Sequence, residues 1–290
     1  VRVPALLLTA CLAAAAAAAG EFGDYWHRGE AEITSYDLEQ ARYGEIHAGH
    51  AVLIFVTEDF SRSKHVKLDH PDAAGDDAVK VLKLNFTKKF DTGVYPYSMM
   101  TSVFTPVELA MGQPTLKITT SSQEWCGHTF TQLDLRGEGY EAALRSYFES
   151  EGDRTLALEG AAAEDEIWNR IRLAPATLPV GKVRLIPGTM YQRLSHEAWR
   201  VQDAVGTLEE ESGLRTYTLD YPELGRTLKI RFREAFPHEI ESWEETHRSG
   251  FGAGARVLTT KGTLRKRILL PYWRHNRVED APWREALGLE

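Results

Sequence analysis

Apolar and polar residues alternate with a period of two over much of this chain, the pattern of strands with one buried and one wet face. From 227 to 233 (TLKIRFR), Leu228, Ile230 and Phe232 fall on one face and Lys229, Arg231 and Arg233 on the other. Leu82, Leu84 and Phe86 stand against Lys83 and Asn85, and Leu116 and Ile118 against Lys117 and Thr119. The run 51–57 (AVLIFVT) is apolar on both faces, which suits a central strand. Turn signals at His47-Ala48-Gly49, Gly152-Asp153, Leu224-Gly225 and Lys261-Gly262 predict reversals, and therefore antiparallel hairpins.

One segment breaks the period. Over 161–173 (AAAEDEIWNRIRL) the acids Glu164, Asp165 and Glu166 open a helical stretch and Arg170 and Arg172 close it, complementing a helix dipole. Ile167 and Ile171 make a buried stripe beside Trp168, Glu166 and Arg170 pair on the outside, and Pro175 ends the helix. The expected fold is mainly β, with antiparallel curved sheets or barrel-like halves and one crossing helix at about 161–173. The division that follows is a first β-rich half at 24–158, helix and linker at 159–177, a second β-rich half at 178–277 and a tail at 278–290.

The first nineteen residues change the picture of where this body resides. One charge at Arg2, an apolar run from Pro4 and small residues up to Gly20 make the tripartite plan of a secretory signal, with periplasm or cell envelope as the expected destination. Two processing routes stay open. Ala17-Ala18-Ala19 fits cleavage after residue 19, and Leu8-Thr9-Ala10-Cys11 fits a lipoprotein leader that would anchor the body to a membrane through a lipid on Cys11. No later apolar stretch is long enough to span a bilayer, so the body is expected to cross none.

With 290 residues and 43% apolar content the chain can bury a core without metal or disulfide, and Cys126 is the one cysteine outside the leader. A net charge of -8 argues against nucleic acid as a partner. The basic concentration at Lys261, Arg265, Lys266, Arg267, Arg274 and Arg277 reads as the solvent face of an edge strand.

Candidate chemistry is sparse. Cys126 and His128 are two apart, so on a strand they share a face and an imidazole can sustain a thiolate; a buried cysteine beside a half-buried tryptophan is the plainer reading. Glu39 and its neighbours Glu32, Asp37 and Glu45 offer paired carboxylates for a glycosidase-like cleft, or an exposed polar strand face. The scattered His47, His50, His65, Asp69, His70 and Asp72 lack metal-site spacing and read as solvated loop residues, so no metal and no cofactor are expected. The Gly-rich run 249–255 lacks the Lys-Ser or Lys-Thr ending of a phosphate loop. Aromatic residues beside strands suit either core or the wall of a ligand pocket.

The stretches EAEITSYDLEQARYGE (30–45), KLNFTKKFDTGVYPYS (83–98), QEWCGHTFTQL (123–133) and RSYFESEGD (145–153) resemble an uncharacterised family of exported bacterial proteins often labelled "septum formation inhibitor Maf". Genuine Maf nucleotide pyrophosphatases carry an early S-x-S-x-R-R motif, which this chain lacks; Ser61-Arg62-Ser63-Lys64 has no arginine pair. The resemblance implies export and a shared fold and brings no active residue with it.

Three functions therefore stand as expectations. The first is non-catalytic binding of a lipid or other amphiphile in a concave sheet face lined by Tyr36, Arg42, Tyr95, Tyr97 and Trp125. The second is an exported hydrolase using Cys126 with His128, or carboxylates near Glu39. The third is an envelope scaffold or assembly partner.

Overall fold

The computed structural model describes residues 20–108 and 114–289; the expected leader, with Cys11, lies outside the described residues. The protein is mainly β, built on one curved, unclosed sheet of fifteen strands. Strands β1 (Ala31–Arg42), β2 (Glu45–Ser61), β3 (Ala78–Thr92), β4 (Tyr95–Pro106), β5 (Lys117–Glu124), β6 (Gly127–Arg136), β7 (Gly139–Arg145) and β8 (Arg154–Glu159) form an antiparallel meander. After the two-residue β9 (Ala162–Ala163), a second meander runs through β10 (Gly181–Ile186), β11 (Gln202–Glu211), β12 (Leu214–Tyr221), β13 (Arg226–Arg233), β14 (Ile240–Ser249) and β15 (Arg256–Leu270). Antiparallel pairing of β1 with β15 joins the meanders, with Ala31 opposite Leu270 and Glu39 opposite Lys261. Both β-rich halves thus share one sheet, whose free edges are β8 and β9.

Period-two patterning accounts for the strands. Leu228, Ile230 and Phe232 of β13 are buried while Lys229, Arg231 and Arg233 are exposed. Leu82, Leu84 and Phe86 of β3 face the same core, and 51–57 lies in β2 between two strands.

Two turn signals misled. His47-Ala48-Gly49 lies inside β2, and the reversal comes earlier, at Tyr43-Gly44. Lys261-Gly262 lies inside β15. At both glycines a neighbouring strand sits too close for a side chain: Phe90 and the Lys89 carbonyl against Gly49, and the Trp243 indole against Gly262. The basic residues of β15 are likewise on a strand flanked by β1 and β14, and Arg267 pairs with Glu239 at 2.6 Å.

The concave face is filled from within by two helices. The first, α2 (Glu166–Leu173), follows a short helical segment α1 (residues 20–26) at the start of the described chain. It begins five residues later than the expected start at 161, because Ala162 and Ala163 pair with β10. Ile167, Trp168 and Ile171 join the core, with Trp168 edge-on to Phe86 and Trp243 at 5.0 and 5.6 Å. Glu166 and Arg170 do pair, but Glu166 is fully buried and accepts the Thr115 N–H at 2.6 Å. Arg172, also buried, makes a bidentate bond to Glu32 on the inner face of β1 at 2.5 and 2.6 Å.

The second helix, α3 (Thr189–Ser195), was not foreseen in a segment taken as β-rich. Six of its seven residues are buried, so its short sequence carries no amphipathic stripe to read. The tail turns through α4 (Pro282–Ala286) and lays Leu287 and Leu289 on the convex face against Ile33, Val52 and Leu270, covering the β1–β15 seam.

Candidate functional site

Antiparallel order sends alternate connections to the same end of the sheet. The β1–β2, β3–β4, β5–β6, β7–β8 and β14–β15 connections all lie at one rim, and α3 rises beneath them. Deep in the molecule the inner face is apolar (Val103, Ile118, Leu133) and packs on α2. Towards the rim the same inner-face positions become Thr101, Thr120, Ser122, Thr129 and Thr131. Hydroxyls of Thr101, Thr120 and Thr189 bond one another there and dock α3.

Helix α3 does not fill the space beside the free edge β8, and a cavity of about 350 Å³ remains. Leu144, Leu156 and Trp199 supply apolar wall, and Thr129, Thr131 and Ser146 supply hydroxyls. Gln192, Arg193 and His196 come down from α3 and its C-terminal cap. Gln192 is 2% exposed, and both its amide oxygen and its amide nitrogen are buried without a hydrogen-bond partner. The Arg193 Nε and the Ser122 hydroxyl are in the same state. Leaving such groups unmet costs roughly 1–3 kcal/mol each, so this polar set has donors and acceptors to offer a further polar group.

One charged cluster flanks the cavity. The Glu151 carboxylate accepts from His196 Nδ1 at 2.6 Å, from Arg193 at 3.4 Å and from the Ser146 hydroxyl. Burial pushes the Glu151 carboxyl up, but hydrogen bonds from Ser146 and His196 and the Arg193 charge bring it below its ordinary value. Burial pulls His196 down, outweighing Glu151, so the imidazole is neutral near pH 7 and donates its Nδ1 proton. The Arg193 guanidinium stacks 4.4 Å from the centre of Phe148.

Four of the five expected ligand residues meet on the other side of α3. Arg42 donates to the Leu194 carbonyl at 2.5 Å and to the Tyr97 hydroxyl at 3.2 Å, and its guanidinium lies 4.1 Å above Tyr43. Tyr97 is stacked on Phe90 and buried; its hydroxyl is 2.7 Å from that of Tyr43, which accepts from Tyr95 at 2.9 Å. Trp125 stacks on Tyr95. Tyr36 is elsewhere: it is 1% exposed, donates to the Ile240 carbonyl at 2.8 Å and packs on Trp243 as core.

The expected catalytic pairs are not assembled. Cys126 is exposed in the β5–β6 turn and His128 sits on β6 opposite Gln123. The hydrogen bond to Glu124 pushes the Cys126 thiol up, with burial and the Glu124 charge adding to it, which is the reverse of nucleophile activation. Glu39 is exposed on the convex face beside Lys261, whereas Glu32 is locked to Arg172 on the concave face, so the sheet separates them. His65, read as a solvated loop residue, is buried and bonded to Asp134 at 2.9 Å. Among the described residues no group of three or more His, Cys, Asp or Glu is arranged to hold a metal ion.

No family model matches the chain, and no curated protein matches it. A solved structure is similar. It is a β-barrel-like protein of a domain of unknown function, DUF1849, from Brucella abortus, 12% identical, with a TM-score of 0.49, covering 83% of this chain and 98% of that one.

The cavity residues themselves were missed by sequence reasoning. Gln192 and Arg193 belong to a helix without amphipathic contrast, and Glu151 looks like any loop acid. The available signal was the hydroxyl alternation Thr129, Thr131 ending next to Ser146, a sheet face turning polar while still inside.

Proposed function

We propose that this protein is an exported, non-catalytic binder of an amphiphile, held in the cavity between α3 and the free edge β8. The observation that carries the reading is Gln192, a buried amide with neither donor nor acceptor satisfied, beside a cavity that is apolar on one wall and polar on the other. A volume of about 350 Å³ lies at the lower end of small-ligand sites, enough for a headgroup with a short apolar segment. Leu144, Leu156 and Trp199 would take the apolar part, and Gln192, Arg193 and the hydroxyls of Thr129 and Thr131 the polar part. Arg42, Tyr95, Tyr97 and Trp125 then belong to the cavity's surroundings at the rim.

A Gln192→Met substitution separates this from a purely structural role. It removes the unmet amide at similar volume, so it should raise the melting temperature while weakening binding of a monomeric lysophospholipid at least about tenfold, the value of one or two lost buried hydrogen bonds. A variant that gains stability and binds unchanged, or parent protein that binds no such probe, would refute the reading.

A further inference from the structure

The rim carries a second feature that the cavity does not require. Its hairpin tips present aromatic side chains to solvent: Trp125 is 69% exposed, Tyr147 64%, Phe251 61% and Tyr43 37%, and Val94 between them is 78% exposed. They come from five different connections, yet they touch in sequence around one mouth. Trp125 stacks on Tyr95, Tyr95 bonds Tyr43, Tyr43 lies 6.3 Å from Phe251, and Phe251 lies 6.0 Å from His196. His196 meets Phe148 at 5.1 Å, and Phe148 meets Tyr147 at 5.3 Å. The circle closes where Tyr147 covers Gly127, at the foot of the turn holding Trp125; a Cβ on Gly127 would stand 2.7 Å from the tyrosine ring. Exposed aromatic side chains scattered singly need no explanation, but a contiguous circle of them at one end does.

From this we infer that the rim docks on a lipid surface, with Trp125, Tyr147, Phe251 and Val94 entering the headgroup boundary and the cavity opening towards the bilayer. Three observations select a bilayer over a protein partner. The ring is made of separate turns, so it offers neither a groove for a helix nor an unpaired edge for a strand; the free edge β8 lies outside the turns. Tryptophan and tyrosine are the side chains that favour the interface between water and hydrocarbon, having an apolar body and a polar tip. The ring is also continuous with the proposed cavity through His196 and Phe148, so a molecule leaving the bilayer meets the cavity without crossing water. The exposed tips at the rim are uncharged aromatic and aliphatic side chains, so the contact depends on their insertion and is insensitive to salt.

The direction in which the cavity opens and the weight given to the ring's continuity with it rest on the amphiphile reading; the other two observations do not, and the test keeps the two proposals apart. The full chain is floated with phosphatidylcholine vesicles at low salt and at 0.5 M salt, as parent and as the triple variant Trp125→Ser, Tyr147→Ser, Phe251→Ser. All three positions are exposed, and a thermal melt confirms that the variant is folded. The parent should float equally at both salt concentrations and the variant at least about tenfold less, since three inserted rings are removed. In a Cys11→Ser background, acrylodan on Cys126, next to Trp125, should shift its emission to the blue when vesicles are added. A chain that floats but binds no monomeric lysophospholipid keeps this inference and loses the cavity reading. The inference is overturned if the triple variant floats like the parent, if the acrylodan emission does not move, or if flotation needs anionic lipid and disappears in 0.5 M salt.

Discussion

At the scale of residues, the interior is unusual for the charge it holds. Arg226 bonds Glu164 bidentately at 2.5 and 2.6 Å and Glu245 at 2.6 Å, all beneath the helices, and Lys88 is buried next to Gln40. Such pairs hold the plug in one arrangement, and breaking one strands its partner's charge. Arg172→Met should therefore cost about 3–5 kcal/mol in urea unfolding, by leaving the buried Glu32 with only the Tyr25 hydroxyl and Arg267 at 4.0 Å; a loss below about 1 kcal/mol would show that the pair is dispensable.

Asp165, beside Glu164, is pushed up to about 7 by burial first and by the Glu164 charge second. Its value in the folded protein lies above its value in the unfolded chain, so the folded state keeps a proton that the unfolded state releases. Stability is thus lost as pH rises from about 4 through 7. Asp165→Asn removes this dependence, and its melting temperature relative to the parent should climb across that window; a constant difference would contradict the assignment. Glu245 behaves in the opposite sense. Although burial opposes it, the Arg226 and Lys88 charges bring it down to about 2, so its contribution fades as pH falls from about 4.5 towards 2.

At the scale of elements, the strands were legible and the plug was only half so. Leu228, Ile230 and Phe232 announce β13 because one face meets the core and the other meets water. The acidic start and basic end of α2 announce a helix, but not that Glu166 and Arg172 turn inwards, since partners such as Thr115 and Glu32 are remote in sequence. Helix α3 is buried nearly all round, so period 3.6 has no contrast to display. The glycines at 49 and 262 imitate turns because close strand approach and chain reversal select the same residue. Gly262→Val would drive the Trp243 indole out of its place, costing roughly 1–3 kcal/mol or more in thermal or denaturant melts; near-parent stability would mean that the contact yields easily. Arg42, Tyr95, Tyr97 and Trp125, expected with Tyr36 to line one concave face, meet instead at the rim because the β1–β2, β3–β4 and β5–β6 turns lie at the same end of the sheet. Gln192 was not legible, because an unmet hydrogen bond is a property of the packed interior and leaves no trace in composition or spacing.

At the scale of the whole molecule, one sheet of two meanders wraps around its own helices and stops short of closure at β8. The concave face expected to hold a ligand is mostly occupied by α2 and α3, and what remains open is the space beside that edge, under the aromatic rim. Tyr36 illustrates the consequence: strand period places it correctly on the inner face, but its distance from the rim puts it in solid core. Among the described residues no helix is long and apolar enough to cross a membrane.

The most direct measurement is a crystal structure of the protein with a saturating short-chain lysophospholipid. The account predicts continuous density between Leu144, Leu156 and Trp199, with a polar group of the ligand bonded to the Gln192 amide. Density confined to the convex face, or a cavity that stays empty with Gln192 unchanged, would contradict it.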